Sequence, residues 1–374
     1  MKYYIIAGEA SGDLHASNLV REIKKNDQNA ILRGWGGDLM KAQGVDIIRH
    51  IKDYSFMGFT EVLMNLRTIL KSISFCKKDI ESFEPDVIIL IDYPGFNLRI
   101  ADYAHNRGLK VIYYISPQIW AWKQSRVHKI KATVDKMMVI LPFEKDFYKK
   151  FDYEVEFVGH PLLDAIENYK KLSPNTQFRT ENNLNDKPII ALLPGSRKQE
   201  ITRMLETMLS VKEAFADYQF VIAGAPSIPG NFYQNLTGSG EVKIVFNKTY
   251  DLLMNSAAAL VTSGTATLET ALFKVPQVVC YKGSNISYNI ARKLIKVKYI
   301  SLVNLIMDKK IITELIQHDL TKENLKKELG EILFNKTKKE SLLSDYSELA
   351  IKLGGNGASQ KAASVISTFL NSVS

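Results

Sequence analysis

The sequence predicts an α/β protein made of two doubly wound domains. Short apolar runs alternate with amphipathic helical stretches along most of the chain, and the alternation pauses near residues 160–187 and then restarts. Several of the runs end in turns rich in glycine and small residues. Apolar strands separated by helices indicate parallel sheets covered on both faces. At 374 residues the chain can hold two or three domains of ~150 residues each.

In the first half, Tyr3–Ala7, Ile31–Trp35, Asp86–Ile91, Lys110–Ile115, Lys136–Leu141 and Glu154–Val158 read as strands. Helical patterns lie between them at Leu14–Lys25, Phe59–Phe83, Arg99–Arg107 and Phe143–Tyr148. Val158-Gly159-His160-Pro161 closes the last strand, and a polar stretch, Asn168–Lys187, follows as a linker. Strands then resume at Ile189–Leu193, Phe220–Ala223, Lys243–Phe246, Ala258–Val261 and Gln277–Tyr281. From about Glu323 the chain is helical and lysine-rich until Gly354-Gly355-Asn356-Gly357 breaks it. The last helix, Ala358–Leu370, shows Ala362, Val365, Ile366 and Phe369 on one face and is expected to pack back on the fold. The domain boundaries expected are 1–165, 166–345 and 346–374.

The net charge of +9 suits an anionic partner, whether phosphate, nucleic acid or an acidic membrane surface. Two distant cysteines, Cys76 and Cys280, argue for a reducing compartment and against a zinc or disulfide frame. The first ten residues do not read as a signal peptide, and no apolar run approaches the ~18 residues that cross a bilayer. The expectation is a cytoplasmic protein able to lie on a membrane.

Two turns in the second half suit phosphate. Ile189–Leu193 runs into Pro194-Gly195-Ser196-Arg197 and then a helical pattern. Free N–H groups and the positive end of a helix favour an anion there, and Arg197 adds a planar cation. Ser263-Gly264-Thr265-Ala266-Thr267-Leu268-Glu269 repeats the arrangement after Ala258–Val261. Its hydroxyls and amides suit a diphosphate, and Glu269 suits ribose hydroxyls. Together they predict a nucleoside-diphosphate pocket. An ordinary βα turn with a surface arginine, or a helix-dipole glutamate, is the plain alternative for each alone.

In the first half, Gly8–Asp13 follows a strand with small residues and three polar groups, Glu9, Ser11 and Asp13. Its spacing is not GxGxxG, so no dinucleotide fingerprint is present. Gly34-Trp35-Gly36-Gly37 is a second, weaker turn. Asp92 ends an apolar strand ahead of Tyr93-Pro94-Gly95, where a carboxylate can act as general base or simply bond local amides. Ser116–Lys123 holds Trp120 and Trp122 beside Arg126, Lys129 and Lys131. Such interleaving stacks nucleic-acid bases or seats an amphipathic phosphate-bearing ligand. Val62, Leu63, Leu66, Ile69, Leu70 and Ile73 recur at helical spacing among basic residues, and Tyr288–Tyr299 is similarly basic and apolar. Core packing is the usual fate of such helices; an exposed version would bind anionic membrane or acyl chains.

In order along the chain come GEASGD at 8–13, SPQIWAWKQSRVHKI at 116–130, LPFEK at 141–145, GHP at 159–161, LLPGSR at 192–197, SGTATLE at 263–269 and SLVNL at 301–305. With these motifs the chain resembles the lipid-A-disaccharide synthase family over nearly its whole length. The resemblance implies a GT-B fold of two Rossmann-like domains facing a cleft. It implies an inverting transfer from UDP-2,3-diacylglucosamine to 2,3-diacylglucosamine 1-phosphate (lipid X), giving a β-1,6 disaccharide 1-phosphate and UDP. It further implies work at the inner face of the bacterial inner membrane, with no nucleic acid as partner, and leaves room for a homodimer. No cofactor and no metal are expected, and the chain has no DxD motif.

By the same resemblance Asp92 matches an essential acidic position, and Glu9 and Ser11 match the acceptor domain's glycine-rich loop. Gly195, Ser196, Arg197, Gly264, Thr265, Ala266, Thr267, Glu269 and Asn304 are the expected donor-site residues. Many family members carry a second aspartate where this chain has Gly95, which concentrates the base role on Asp92. His15 is given no role. Met57, Phe59, Val62, Leu63, Leu66, Leu70, Trp120 and Trp122 are expected to form the acceptor and membrane patch. Another GT-B enzyme using UDP-N-acetylglucosamine, transferase or 2-epimerase, is the rival enzyme reading. A non-enzymatic membrane- or nucleic-acid-binding protein is the other rival, and it leaves the strand-tip carboxylates unexplained.

Overall fold

The computed structural model describes residues 1–53, 66–172, 177–238, 242–283 and 297–373. The chain divides into two compact units, Met1–Ala165 with Leu353–Ser374, and Ile166–Lys352.

The first unit is built on a seven-stranded parallel sheet. Its strands are β1 (Lys2–Ala7), β2 (Ile31–Gly36), β3 (Asp46–His50), β4 (Val87–Ile91), β5 (Lys110–Tyr114), β6 (Lys136–Val139) and β7 (Glu156–Phe157), in the order β3-β2-β1-β4-β5-β6-β7. Every residue of β4 is buried, as are all of β1 and β5 past their first residue. That is why these strands read as unbroken apolar runs: helices cover both faces. Each buried Ile or Val adds about 1.5–3 kcal/mol of transfer free energy. The edge strand β3 was not anticipated; its sequence, DIIRH, is half-exposed and too polar to stand out.

The last helix, Ala358–Val373, packs along the first, Ala10–Asn26. Ala362, Ile366 and Leu370 are buried there. Asp164 accepts N–H bonds from Gly357 at 2.6 Å and Ser359 at 3.0 Å, which caps the returning helix from a distant part of the chain.

The second unit holds six parallel strands: β8 (Ile189–Leu193), β9 (Gln219–Gly224), β10 (Lys243–Phe246), β11 (Ser256–Thr262), β12 (Gln277–Tyr281) and β13 (Thr313–Ile316), in the order β10-β9-β8-β11-β12-β13.

Both sheets reverse direction of growth once. In the first the reversal lies between β1 and β4, where Ala7 pairs with Ile91. In the second it lies between β8 and β11, where Leu193 pairs with Val261. Open α/β sheets bind ligands outside the carboxyl ends of strands at such a reversal. Gly8–Ser11 and Asp92 follow the first pair of strands; Pro194–Arg197 and Ser263–Glu269 follow the second.

Candidate active site

In the first unit the site is centred on Asp92. Asp92 and Tyr93 both have left-handed backbone, with φ of 44° and 47°. Two such residues in succession cost of order 1–3 kcal/mol each, so the surroundings must hold them. The Asn97 amide donates to the Asp92 carbonyl at 2.9 Å and to the Ile91 carbonyl at 3.2 Å. The Tyr113 hydroxyl donates to the same Asp92 carbonyl. The Tyr93 ring stacks on Phe96, and its atoms lie 2.1 Å from where a Cβ on Gly8 would stand. Gly8 is therefore the residue that lets the two strand ends close on each other.

This frame presents a partly buried carboxylate. Burial first, and the neighbouring Glu9 second, push the Asp92 pKa up to about 6, while the Tyr93 backbone N–H pulls it back. Glu9 and Ser11 are exposed at the same edge. Glu9 stands at the N-cap of the first helix without making a side-chain cap bond.

Asp13 belongs to a different task. It is buried, and its carboxylate accepts N–H bonds from Gly37 at 2.7 Å, Met40 at 3.0 Å and Leu39 at 3.1 Å. It thus ties the first glycine turn to the turn at Gly34–Gly37. A Cβ on Gly37 would stand 2.5 Å from the Asp13 carboxylate, so the glycine serves that bond.

The segment after β5 forms a single turn, Ile119–Trp122, and then the helix Arg126–Thr133. Trp120 is partly buried, with Phe143 edge-on at 4.9 Å. Trp122 is 50% exposed. Beneath lies Glu144, which accepts the N–H groups of Ile140 at 3.2 Å and Leu141 at 2.9 Å. Burial pushes its pKa up to about 8 despite these bonds and the nearby Trp120 and Ser116 side chains. Glu144 in LPFEK therefore braces the tryptophan segment through these two backbone bonds. Neither it nor Asn97 was given a role from sequence.

Of the expected membrane patch, Met57, Phe59, Val62 and Leu63 lie outside the described residues, as does the Leu66 side chain; most of Tyr288–Tyr299 does too. Leu70 is 55% exposed on the helix Leu66–Phe83.

In the second unit, Gly195 takes φ 114° and Gly264 φ 149°, conformations open to glycine. Arg197 is the N-cap residue of the helix Lys198–Leu209, whose first N–H groups lack intrahelical partners. Its guanidinium is 70% exposed and lies 3.4 Å from Glu200. The other Glu200 oxygen accepts the Ser196 N–H at 3.3 Å. A carboxylate thus rests on the amide and cation that suit a phosphate. Thr265 is exposed at the start of the helix Thr265–Leu272, with Ala266 partly buried beside it. Glu269 accepts a 3.0 Å bond from Tyr250, and burial raises its pKa.

Two of the expected donor-site residues have side chains engaged within the fold. Thr267 is fully buried and donates its hydroxyl to the Gly264 carbonyl at 2.8 Å, so it shapes the turn. Asn304 is also fully buried. Its amide donates to the Ile312 carbonyl and Glu314 carboxylate, both at 2.9 Å, and its oxygen accepts from Ile311 and Ile312. All four of its bonding positions are spent. Glu314 also holds Ser301, and Ser263 donates to the adjacent Ile300 carbonyl at 2.9 Å. Asn304 is thereby linked to the Ser263 turn through Glu314 and Ser301. Among the described residues no group of three or more His, Cys, Asp or Glu side chains could hold a metal ion.

The family model described as lipid-A-disaccharide synthetase matches residues 3–369. The chain belongs to the lipid-A-disaccharide synthase family. It is 40% identical to the lipid-A-disaccharide synthase of Syntrophus aciditrophicus, covering 98% of this chain and 97% of that one. The corresponding enzyme of Geobacter metallireducens is 37% identical, over 97% and 95% of the two chains. Among solved structures, the UDP-GlcNAc 2-epimerase from Neisseria meningitidis bound to UDP-GlcNAc superposes with a TM-score of 0.71 at 13% identity, covering 99% of this chain and 100% of that one. The calicheamicin glycosyltransferase CalG4 gives 0.58 at 13%, over 99% and 98%. At such identities these structures show the fold alone, a GT-B-like pair of parallel sheets. The family, not the fold, separates this chain from the epimerases: it is a glycosyltransferase with lipid-A-disaccharide synthase activity in lipid A biosynthesis.

Proposed function

We propose that the enzyme joins UDP-2,3-diacylglucosamine to lipid X by direct displacement with inversion, and that Asp92 is the general base. Asp92 takes the proton of the acceptor's 6-hydroxyl as that oxygen attacks the anomeric carbon of the donor. The bond from that carbon to the diphosphate breaks, and UDP leaves. Arg197 and the amides of the Gly195–Ser196 and Gly264–Thr265 turns stabilise the departing charge, with Glu269 directed to the nucleoside. Glu9 and Ser11 orient the acceptor beside Asp92. A base with a pKa near 6 is ionised at neutral pH yet more basic than an ordinary carboxylate. One observation carries the reading: each group of residues emerges at the reversal point of its own sheet.

The decisive assay is UDP release with the diacylated donor and acceptor, compared with plain UDP-N-acetylglucosamine. Release is expected only with the acylated pair. Equal release with the plain sugar would overturn the substrate assignment.

Peripheral binding to the anionic inner face of the inner membrane belongs to the same proposal. Exposed Leu70 and Trp122 and the +9 charge support it. Replacing Leu63 and Leu66 together by Ser is expected to weaken binding to anionic vesicles. Undiminished binding by the folded variant would count against the patch.

A further inference from the structure

The carboxyl ends of β4 and β5 lie side by side. The Asp92 N–H donates to the Tyr114 carbonyl at 3.1 Å, and the Tyr113 hydroxyl donates to the Asp92 carbonyl. The segment leaving β5 is therefore the direct neighbour of the Asp92 turn. It carries Trp122, half-exposed, with two cations against its ring. The Lys123 ammonium lies 4.8 Å from the ring centroid and the Arg126 guanidinium carbon 5.3 Å. Among the described residues neither cation pairs with a carboxylate. From Tyr103 to Val134 the chain has no Asp or Glu.

An unpaired guanidinium and ammonium, both held against one indole ring, form a preorganised site for a small dianion. The ring limits the rotamers of both cations, so less freedom is lost when an anion arrives. The planar fork of Arg126 suits two phosphate oxygens, and Lys123 adds a point charge. The indole offers an apolar face to the sugar.

We infer that Trp122, Lys123 and Arg126 form the subsite for the anomeric phosphate of the acceptor. The inference rests on the reading of Asp92 as the base toward the acceptor's 6-hydroxyl. The 6-hydroxyl, carried on C5 through C6, and the anomeric phosphate on C1 flank the ring oxygen of one sugar. With the hydroxyl at Asp92, the phosphate falls a ring's breadth away, and the next strand end supplies the free cations there. Specificity for a sugar 1-phosphate over the neutral sugar follows from this pairing.

The test uses the full-length enzyme with two acceptors, lipid X and the same diacylglucosamine without its phosphate. Lys123→Gln and Arg126→Gln are each expected to lower the ratio of kcat/KM for the phosphorylated over the phosphate-free acceptor about tenfold, through the acceptor KM. Arg126→Lys should recover part of that ratio. A ratio equal to that of the unaltered enzyme in both glutamine variants overturns the inference. So does weaker binding to phosphatidylglycerol vesicles with an unaltered acceptor KM, which would assign the cations to the bilayer. Lys123 is exposed in a loop, so its variant decides the matter if Arg126→Gln does not fold. Asp92→Asn separates the two readings. It should lower kcat alike for both acceptors; full activity there would remove the base assignment while the phosphate ratio stood on its own measurement.

Discussion

The Asp92 turn and the Pro194–Arg197 turn each follow a central strand at the reversal of a parallel sheet, yet they are built to opposite specifications. Asp92 is partly buried, takes a strained backbone, and is held through its carbonyl by Asn97 and Tyr113. Arg197 is 70% exposed, its turn bends at a glycine, and among the described residues its side chain pairs with a surface carboxylate, Glu200. A base must be placed and tuned before substrate arrives. A leaving-group site can be completed by the substrate itself, because the diphosphate brings the charge that orders the cation. On the proposed reading, strain and burial fall on the proton-transfer half and exposure on the half that releases UDP.

The comparison can be broken from either side. Asp92→Asn should reduce kcat by about 100- to 10,000-fold, measured by UDP release, while donor binding by calorimetry persists. Its stability should move the other way. The folded pKa of Asp92 is raised above 3.8, so its ionised form burdens the fold above about pH 6, and that burden lessens as pH falls. Asparagine removes it, and Tm at pH 8 should rise. Arg197→Ala should cost about 100-fold in kcat and weaken UDP binding, with Tm unmoved because the side chain is exposed. A loss of stability comparable to the loss of activity would make Arg197 structural and erase the contrast.

Asn97→Ala sharpens the comparison further. It should cost about 1–3 kcal/mol in stability and lower kcat on the order of tenfold, with donor KM unaltered. A purely structural Asn97 would lower Tm and leave the pH profile of the remaining activity in place. The smallest effect is expected at Glu200→Gln. The present contacts at 3.3 and 3.4 Å are weak, and removing the charge should tighten UDP binding only a few-fold. Weaker UDP binding would mean that Glu200 supports the site instead of standing in for the phosphate.

Much of this was legible in the sequence, and the failures have a common cause. Buried central strands such as Ile189–Leu193 announce themselves because both faces are covered. The edge strands β3 and β13 do not, since polar residues break up their short apolar runs. The phosphate turns and Asp92 were visible as strand-tip motifs. Asp13, Thr267 and Asn304 show what was not visible, namely whether a polar side chain in a motif is free or already bonded to backbone. Asp13 joins residues 24 to 27 positions away, and Asn304 depends on Glu314 and Ile312 across a loop. Asn97 was hidden for the same reason: its partners are carbonyls of a turn whose left-handed backbone no residue pattern declares.

The account turns on the ionisation of Asp92, and the pH dependence of kcat/KM tests it most directly. The unaltered enzyme should lose activity as pH falls through about 6, because the base becomes protonated. Glu9→Gln removes the second cause of the raised value and should move this limb to lower pH by a fraction of a unit. In Asp92→Asn the limb should vanish from the residual activity. The same acid limb persisting in Asp92→Asn would contradict the account, for some other group would then be the base.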